Sequence, residues 1–361
     1  MFAVASLPWL VLSAVASQSP QAIPDEPICR QCEIVLGPRR LTVADTSSAT
    51  ATKLNGYLTS LRSMYVAGAA SGPPQVFDST GRLIRTLGAR GKGPREFTTS
   101  TVTAVGPNDS LAIFDPTTAR IQIFDGRLTY TRAFTIPQSL VQDGLLWLPG
   151  GGFLASGVRA TASEIGYTIH RYSSDGTYLG SFAESPRPVL PSSSGLAPFR
   201  VLELLPDGDL ITVTVTTTGG SYVIERWDPA SGRLRGSWQR TSRWIEPTPG
   251  PFPSRVLAVW LDQAGLVWTL LVVRAPNWEE VAKPEVIGSG RQTEVAYRRP
   301  PRNLIGDAMV EVLDLAKGRV IAQGRFDPVL SRLLNGLFAA DDADEWGFDL
   351  FSLSLKGLPN P

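Results

Sequence analysis

"VTAVGPNDSLAIFDPTTARIQIFDGRLTYTRAF", Val102 to Phe134, is the stretch on which the fold turns. Short apolar runs flank a Gly-Pro-Asn-Asp cluster, and a further pair of runs flanks Asp125-Gly126. Apolar and polar residues alternate along each run, the pattern of half-buried strands, and Gly, Asn and Asp supply the positive φ angles that tight reversals need. The stretch therefore reads as four antiparallel strands joined by turns.

Its second half recurs along the chain. "FDSTGRLIRTLG" (Phe77–Gly88) and "FDGRLTYTRAF" (Phe124–Phe134) are followed by "YSSDGTYLGSF" (Tyr172–Phe182), "WDPASGRLRGSW" (Trp227–Trp238) and "LDLAKGRVIAQGRF" (Leu313–Phe326). Successive copies start 47, 48, 55 and 86 residues apart. Each opens on a large apolar residue, most continue with Asp, and each then turns at Gly into an alternating strand. A second hairpin precedes the copy, as in "LLWLPGGGFLASG", "LELLPDGDLITVTV" and "VWLDQAGLVWTLLV". Four strands repeating every ~45 residues is the signature of a β-propeller blade. No helical i, i+3, i+4, i+7 pattern competes over a comparable length.

Five blades are legible in this way. The sixth is assembled from both ends: "LNGLFAADDADEWGFDLFSLSLKG" supplies its inner strands, and "EIVLGPRRLTV" (Glu33–Val43) its outer strand. Pairing the two termini removes the free sheet edge. The expected architecture is all-β, a single six-bladed β-propeller over residues 33–357, with the last blade closed by the N-terminal strand.

"LGARGKGPREF" (Leu87–Phe97) joins the first blade to the second. Its glycines and Lys92 suggest a phosphate loop, but no Ser or Thr follows the lysine, Pro94 intervenes, and the following chain is strand-like. The dinucleotide fingerprint fails too, lacking its last glycine. Turn geometry accounts for the glycines and the proline, and Phe97 is expected to wedge between blades. Arg90, Lys92 and Arg95 remain as a small basic patch, a candidate anion-binding site.

Together these features resemble the NHL repeat, and more broadly the NHL-like six-bladed propellers of exported bacterial proteins. The resemblance rests on Gly88, Gly91, Gly93, Pro94, Glu96 and Phe97, then on Asp109–Asp115 and Arg120–Asp125. It is specific over blade two; elsewhere only the blade period and the hairpin pattern carry it, and no later blade repeats the Gly-x-Gly-Pro-x-x-Phe loop. It implies a fold more than a function. Some enzymes of this architecture are lyases that hold a metal with several histidines, and the single His170, in the alternating strand "YTIHRY", cannot build that site. Others are lactonase-like and bind a divalent metal through channel carboxylates. Glu203, Glu225, Asp262 and Glu311 are available for such a role, though none lies in a signature that ties it to the channel. "DDADEWGFD" (Asp341–Asp349) lacks the glycine and glutamate of a calcium loop and reads as an acidic turn.

Composition narrows the partners. With 34 basic and 33 acidic residues the net charge is +1, which gives no general attraction to nucleic acid or anionic lipid. The first residues, "MFAVASLPWLVLSAVASQSPQ", have the apolar run and small-residue end of a signal peptide over residues 1–17, though no basic residue precedes Arg30. No other apolar stretch approaches the ~20 residues of a membrane span. An exported soluble monomer, periplasmic or extracellular, is expected. The two cysteines, Cys29 and Cys32, lie in the leader 18–32; the favoured reading is a structural disulfide, with a redox pair as the alternative. The long spacing in blade five marks an insert, residues 275–309, carrying Trp278, Tyr297, Arg298 and Arg299 as candidate binding residues. Trp227, Trp238, Trp260 and Trp268 sit at strand positions and are expected between blades. The functional expectation is a non-enzymatic binding or scaffold propeller for a protein, peptide or small ligand, with no cofactor. The alternative is a metal-dependent hydrolase, lactonase or lyase working in the central channel with a divalent ion.

Overall fold

Each copy of the repeated motif folds as the outer hairpin of an antiparallel sheet. These hairpins join Gln75–Phe77 to Leu83–Thr86, Arg120–Phe124 to Tyr130–Thr135, and Tyr167–Tyr172 to Tyr178–Glu184. They continue with Ser221–Asp228 to Arg233–Thr241, and Gly306–Asp314 to Arg319–Phe326. The computed structural model describes residues 19–44, 58–69, 71–100, 102–136, 140–158, 167–184, 200–215, 220–246, 254–282, 284–287, 294–297, 306–333, 336–341 and 347–358.

In all five hairpins the strand register shifts at the motif's first residue: Phe77, Phe124, Tyr172, Trp227 or Leu313. Such a bulge bends the strand and increases its twist, so the motif marks where each blade's outer strand swings away. The residue that follows ties the turn. Asp78 Oδ1 accepts the N–H groups of Thr80 and Arg82, Asp125 Oδ1 those of Arg127 and Thr129, and Asp228 Oδ1 those of Ala230 and Ser231. Blade three has Ser173 there, and its hydroxyl accepts the N–H of Thr177. These side chains mimic a backbone turn, the reason Asp and Ser recur at this place.

The inner pairs complete the blades: Leu58–Leu61 with Met64–Ala67, Val102–Val105 with Leu111–Asp115, and Leu140–Trp147 with Phe153–Val158. Arg200–Leu204 pairs with Leu210–Val215, and Arg255–Leu261 with Val267–Arg274. Blade six uses Leu330–Arg332, Leu337–Asp341 and the long strand Gly347–Lys356. Two N-terminal strands share the outer edge of that long strand: Glu33–Leu36 pairs with its C-terminal half and Leu41–Ala44 with its N-terminal half. Six sheets thus form a ring closed by the N-terminal chain, the expected β-propeller.

The joint Leu87–Phe97 shows how blades are packed. Phe97 is buried beside Val66 and Val76 of blade one and Ile113 and Phe124 of blade two. Burying a side chain of this size contributes about 1.5–3 kcal/mol. Gly88 has φ +81°, and a Cβ there would lie 2.0 Å from the Arg95 carbonyl oxygen, so no other residue fits. Buried Asp115 fastens the same joint, accepting the Thr98 N–H at 2.7 Å, the Thr99 hydroxyl at 3.0 Å and the Thr117 N–H at 2.9 Å.

The leader is more structured than its sequence suggests. Gln21–Ile23 adds a parallel fifth strand to blade four, and the N–H groups of Ile28 and Cys29 donate to Val320 and Ile321 on the outer strand of blade five. The N-terminal chain therefore crosses the outer edges of blades four, five and six in turn. It caps a buried network. Arg240 and Glu311, both 0% exposed, meet at 2.6 Å, and Asp25 of the leader receives Arg240 Nη2 at 2.8 Å and the Ser242 hydroxyl at 2.8 Å. Tyr222 donates to Glu311 Oε2 at 2.5 Å, and Gln323 donates to Oε1 at 2.9 Å. Burial pushes the Glu311 carboxyl up against the opposing pull of Arg240, and burial also pushes the Tyr222 phenol far up.

Two outcomes follow from these contacts. Arg240→Met strands a buried carboxylate, so the urea midpoint should report a loss of about 3–5 kcal/mol, most of it recovered in Arg240→Met/Glu311→Leu. Hydrogen bonds from the Ser231 backbone, then from Arg235, hold the Asp228 carboxyl down at about 2. A depressed carboxylate contributes stability above its unfolded value of ~3.9, and that stability is lost as pH falls toward the folded value. The melting temperature should therefore drop between about pH 4 and pH 2, and Asp228→Asn should show a smaller acid drop than the parent.

Candidate functional site: the central channel

The first strand of every blade faces the ring axis. Together Leu58–Thr59, Val102–Val105, Gly144–Trp147, Val201–Leu204, Leu257–Val259 and Ser331–Leu333 enclose a cavity of about 350 Å³. The strands bring mainly aliphatic side chains, because each also packs on its neighbouring blade. Trp147 sits against Gly106, where a Cβ would come within 2.3 Å of the indole. The hydroxyls of Thr59 and Thr103 hydrogen-bond to each other between blades one and two.

Among the described lining residues one opposite-charge pair interrupts this wall. Arg332 of blade six donates from Nη1 to Glu203 Oε1 of blade four at 2.9 Å, and from the same nitrogen to the Val259 carbonyl of blade five at 3.5 Å. Its guanidinium lies 5.3 Å from the ring centre of Trp260, which in turn stacks on Trp268 at 5.4 Å. The two side chains keep 17% and 22% of their exposure. Burial pushes the Glu203 carboxyl up, and the charge and hydrogen bond of Arg332 pull it back down. The pair is net neutral, mostly desolvated and held in place from three blades, so it can orient a polar group in the cavity.

Of the four carboxylates noted in the sequence, Glu203 alone lines this cavity. Glu225 lies in the contact of blades three and four, receiving Arg200 at 2.9 Å and Trp227 Nε1 at 3.3 Å. Asp262 ties a turn through the N–H groups of Ala264 and Leu266 and accepts Trp268 Nε1. Glu311 belongs to the blade four–five network. Among the described residues no three His, Cys, Asp or Glu side chains converge as metal ligands. His170 is fully buried, with Nδ1 at 2.7 Å from the Ser181 hydroxyl and Nε2 at 3.0 Å from the Gly157 carbonyl. The acidic stretch at 342–346 lies outside the described residues.

The basic patch is on the blade one–two joint. Arg90 and Lys92 are exposed. Arg95 has φ +61°, donates its N–H to Gln122 Oε1 at 2.9 Å, and rests its guanidinium 5.3 Å from the centre of the Tyr130 ring. In the blade five insert, Trp278 opens a helical turn, Trp278–Val281, and lies 4.9 Å under the Arg274 guanidinium. A hairpin of Pro284–Ile287 and Glu294–Tyr297 follows, with Tyr297 opposite Pro284; blade five resumes at Gly306. Arg298 and Arg299 lie outside the described residues. The structure therefore places the two candidate patches on different blades. Arg332 escaped sequence reading because its partner is 129 positions away, and a lone arginine in a short strand carries no motif.

Cys29 and Cys32 form a disulfide. It lies one residue before the closing strand, and both cysteines pack on the blade five–six cluster that includes Ile34, Leu330 and Phe338.

These features define the class of protein: a six-bladed β-propeller whose inner strands enclose a cavity lined by aliphatic residues and a Glu203–Arg332 pair. No family model matches the chain, and no curated protein does. Solved structures do. One, from Bacteroides fragilis, carries a name that assigns it to export only by inference; it is 10% identical, with a TM-score of 0.57 over 94% of this chain and 99% of its own. Another, a member of the DUF4221 family from Bacteroides vulgatus, is 10% identical, with a TM-score of 0.58 over 91% and 99%. At these identities the likeness establishes the fold alone. No helix of the described residues is long and apolar enough to cross a membrane.

A disulfide across so short a loop restrains the unfolded chain only modestly. Cys29→Ser/Cys32→Ser should cost about 2 kcal/mol by urea denaturation, with the far-ultraviolet circular dichroism of the ring unchanged.

Proposed function

We propose that the protein is an exported, non-enzymatic binding propeller of the NHL-like kind, which takes a small ligand, or the end of a peptide or protein, at its ring face and channel. The observation that carries this reading is the Glu203–Arg332 pair, set among aliphatic side chains in the wall of a cavity of about 350 Å³. Binding sites are commonly apolar concavities with a few fixed polar groups. The one carboxylate among the described lining residues is engaged by an arginine, which fits recognition better than general acid–base work. Export rests on the signal-peptide shape of residues 1–17, which lie outside the described residues, and on a disulfide suited to an oxidising compartment. In this proposal residues 18–32 act as a leader that girdles the ring. The insert 275–309, with Trp278, Tyr297, Arg298 and Arg299, and the patch of Arg90, Lys92 and Arg95 supply secondary contacts with a larger partner.

The test is a thermal-shift screen of the purified mature protein against small molecules and short peptides, paired with metal analysis. A ligand present at 100 times its Kd should stabilise the parent by about 2.7 kcal/mol and leave Arg332→Met unshifted. Stoichiometric divalent metal, together with lactone turnover that disappears in Glu203→Gln, would replace this reading with the metal-dependent hydrolase.

A further inference from the structure

We infer that the channel selects ligands bearing a primary carboxamide or a lactam on a small apolar body. This rests on the channel being the binding site. Arg332 presents five N–H donors, of which the described residues engage Nη1 alone. Glu203 accepts at Oε1, while Oε2 has no partner among the described residues. Both side chains line the cavity and retain exposure to it. Among the described residues, then, this wall keeps unengaged donors and an unengaged acceptor on two groups whose facing atoms are 2.9 Å apart.

The complement of such an edge is a group whose own acceptor and donor point the same way. A primary carboxamide has that geometry, and so does a lactam, where the ring forces the amide cis. A secondary amide in its usual trans form points its C=O and N–H in opposite directions and can satisfy only one of the two wall groups. Charge points the same way. The pair sums to zero, and the other described lining residues, such as Leu58, Val102, Leu145 and Leu257, are uncharged. A carboxylate ligand would bring an uncompensated charge into this wall and face Glu203. A neutral amide leaves every charge paired. The cavity lies at the small end of small-molecule sites, about 300–1,000 Å³, so the apolar body is small.

Calorimetric titration of the mature protein with ε-caprolactam, hexanamide, N-methylhexanamide and hexanoate tests the assignment. The lactam and the primary amide should bind about tenfold more tightly than the other two, the value of one hydrogen bond left unmade. Arg332→Met should abolish the preference. Glu203→Leu leaves the guanidinium alone, so the order should invert in favour of hexanoate. Equal affinity of the four probes for the parent, or a preference for hexanoate, overturns the amide assignment; if Arg332→Met still removes that binding, the channel stands as the binding site. No binding by any probe overturns the amide assignment, and binding at the channel is then decided by the broader screen.

Discussion

The ring depends on one hydrogen-bonded seam. Strand Gly347–Lys356 is the last of the chain, and its outer edge is filled by Glu33–Leu36 and Leu41–Ala44 from the beginning. Across the step between these strands, the N–H of Gly37 donates to Ser352 and that of Arg40 to Leu350. Without this pairing blade six would expose an open edge, and the six inner strands would have no fixed circumference on which to enclose a cavity. Closure between chain ends carries a large loop-closure entropy, and the structure meets it over a broad front. The same N-terminal chain also lies along blades four and five, with the Cys29–Cys32 bridge set just before the seam.

Two charge pairs of the same kind sit in different surroundings. Arg240 and Glu311 are wholly buried and surrounded by Tyr222, Gln323 and Asp25. Their hydrogen-bonding capacity is spent on the protein, and they hold the leader against the contact of blades four and five. Arg332 and Glu203 also join different blades, but they stand in the wall of a cavity, and the described residues leave part of their bonding capacity unused. Attraction of the same kind holds both pairs; access to the cavity is what separates them.

Much of this fold can be read from local chemistry. The large apolar residue of each motif lies opposite the bulge in the outer strand, and the Asp or Ser after it is the turn's hydrogen-bond acceptor, so the repeat is visible because every blade solves the same backbone problem in the same way. Glycine and proline in Leu87–Phe97 likewise reflect backbone demands, and Phe97 packs between blades as its position implied. The site was less legible. Glu203 was one carboxylate among several, and nothing near it in sequence distinguishes it from Glu225, which lies two blade strands further along and packs into a blade contact. Arg332 carried no signal. Gln21–Ile23 looked like the tail of a leader, because a parallel edge strand needs no turn chemistry of its own.

The sequence by itself determined the blade: its four strands, its bulged outer hairpin and its period, all of which depend on residues within a few positions of one another. It also pointed to the pairing of its two ends, since Glu33–Val43 reads as the outer strand missing from the last blade. Tertiary structure alone decided which side chains share the channel. Blades are similar units rotated about an axis, and the first strand of each contributes residues separated by about one blade period or more. Neighbours in that cavity are therefore set by the closing of the ring, which places Glu203 of blade four against Arg332 of blade six.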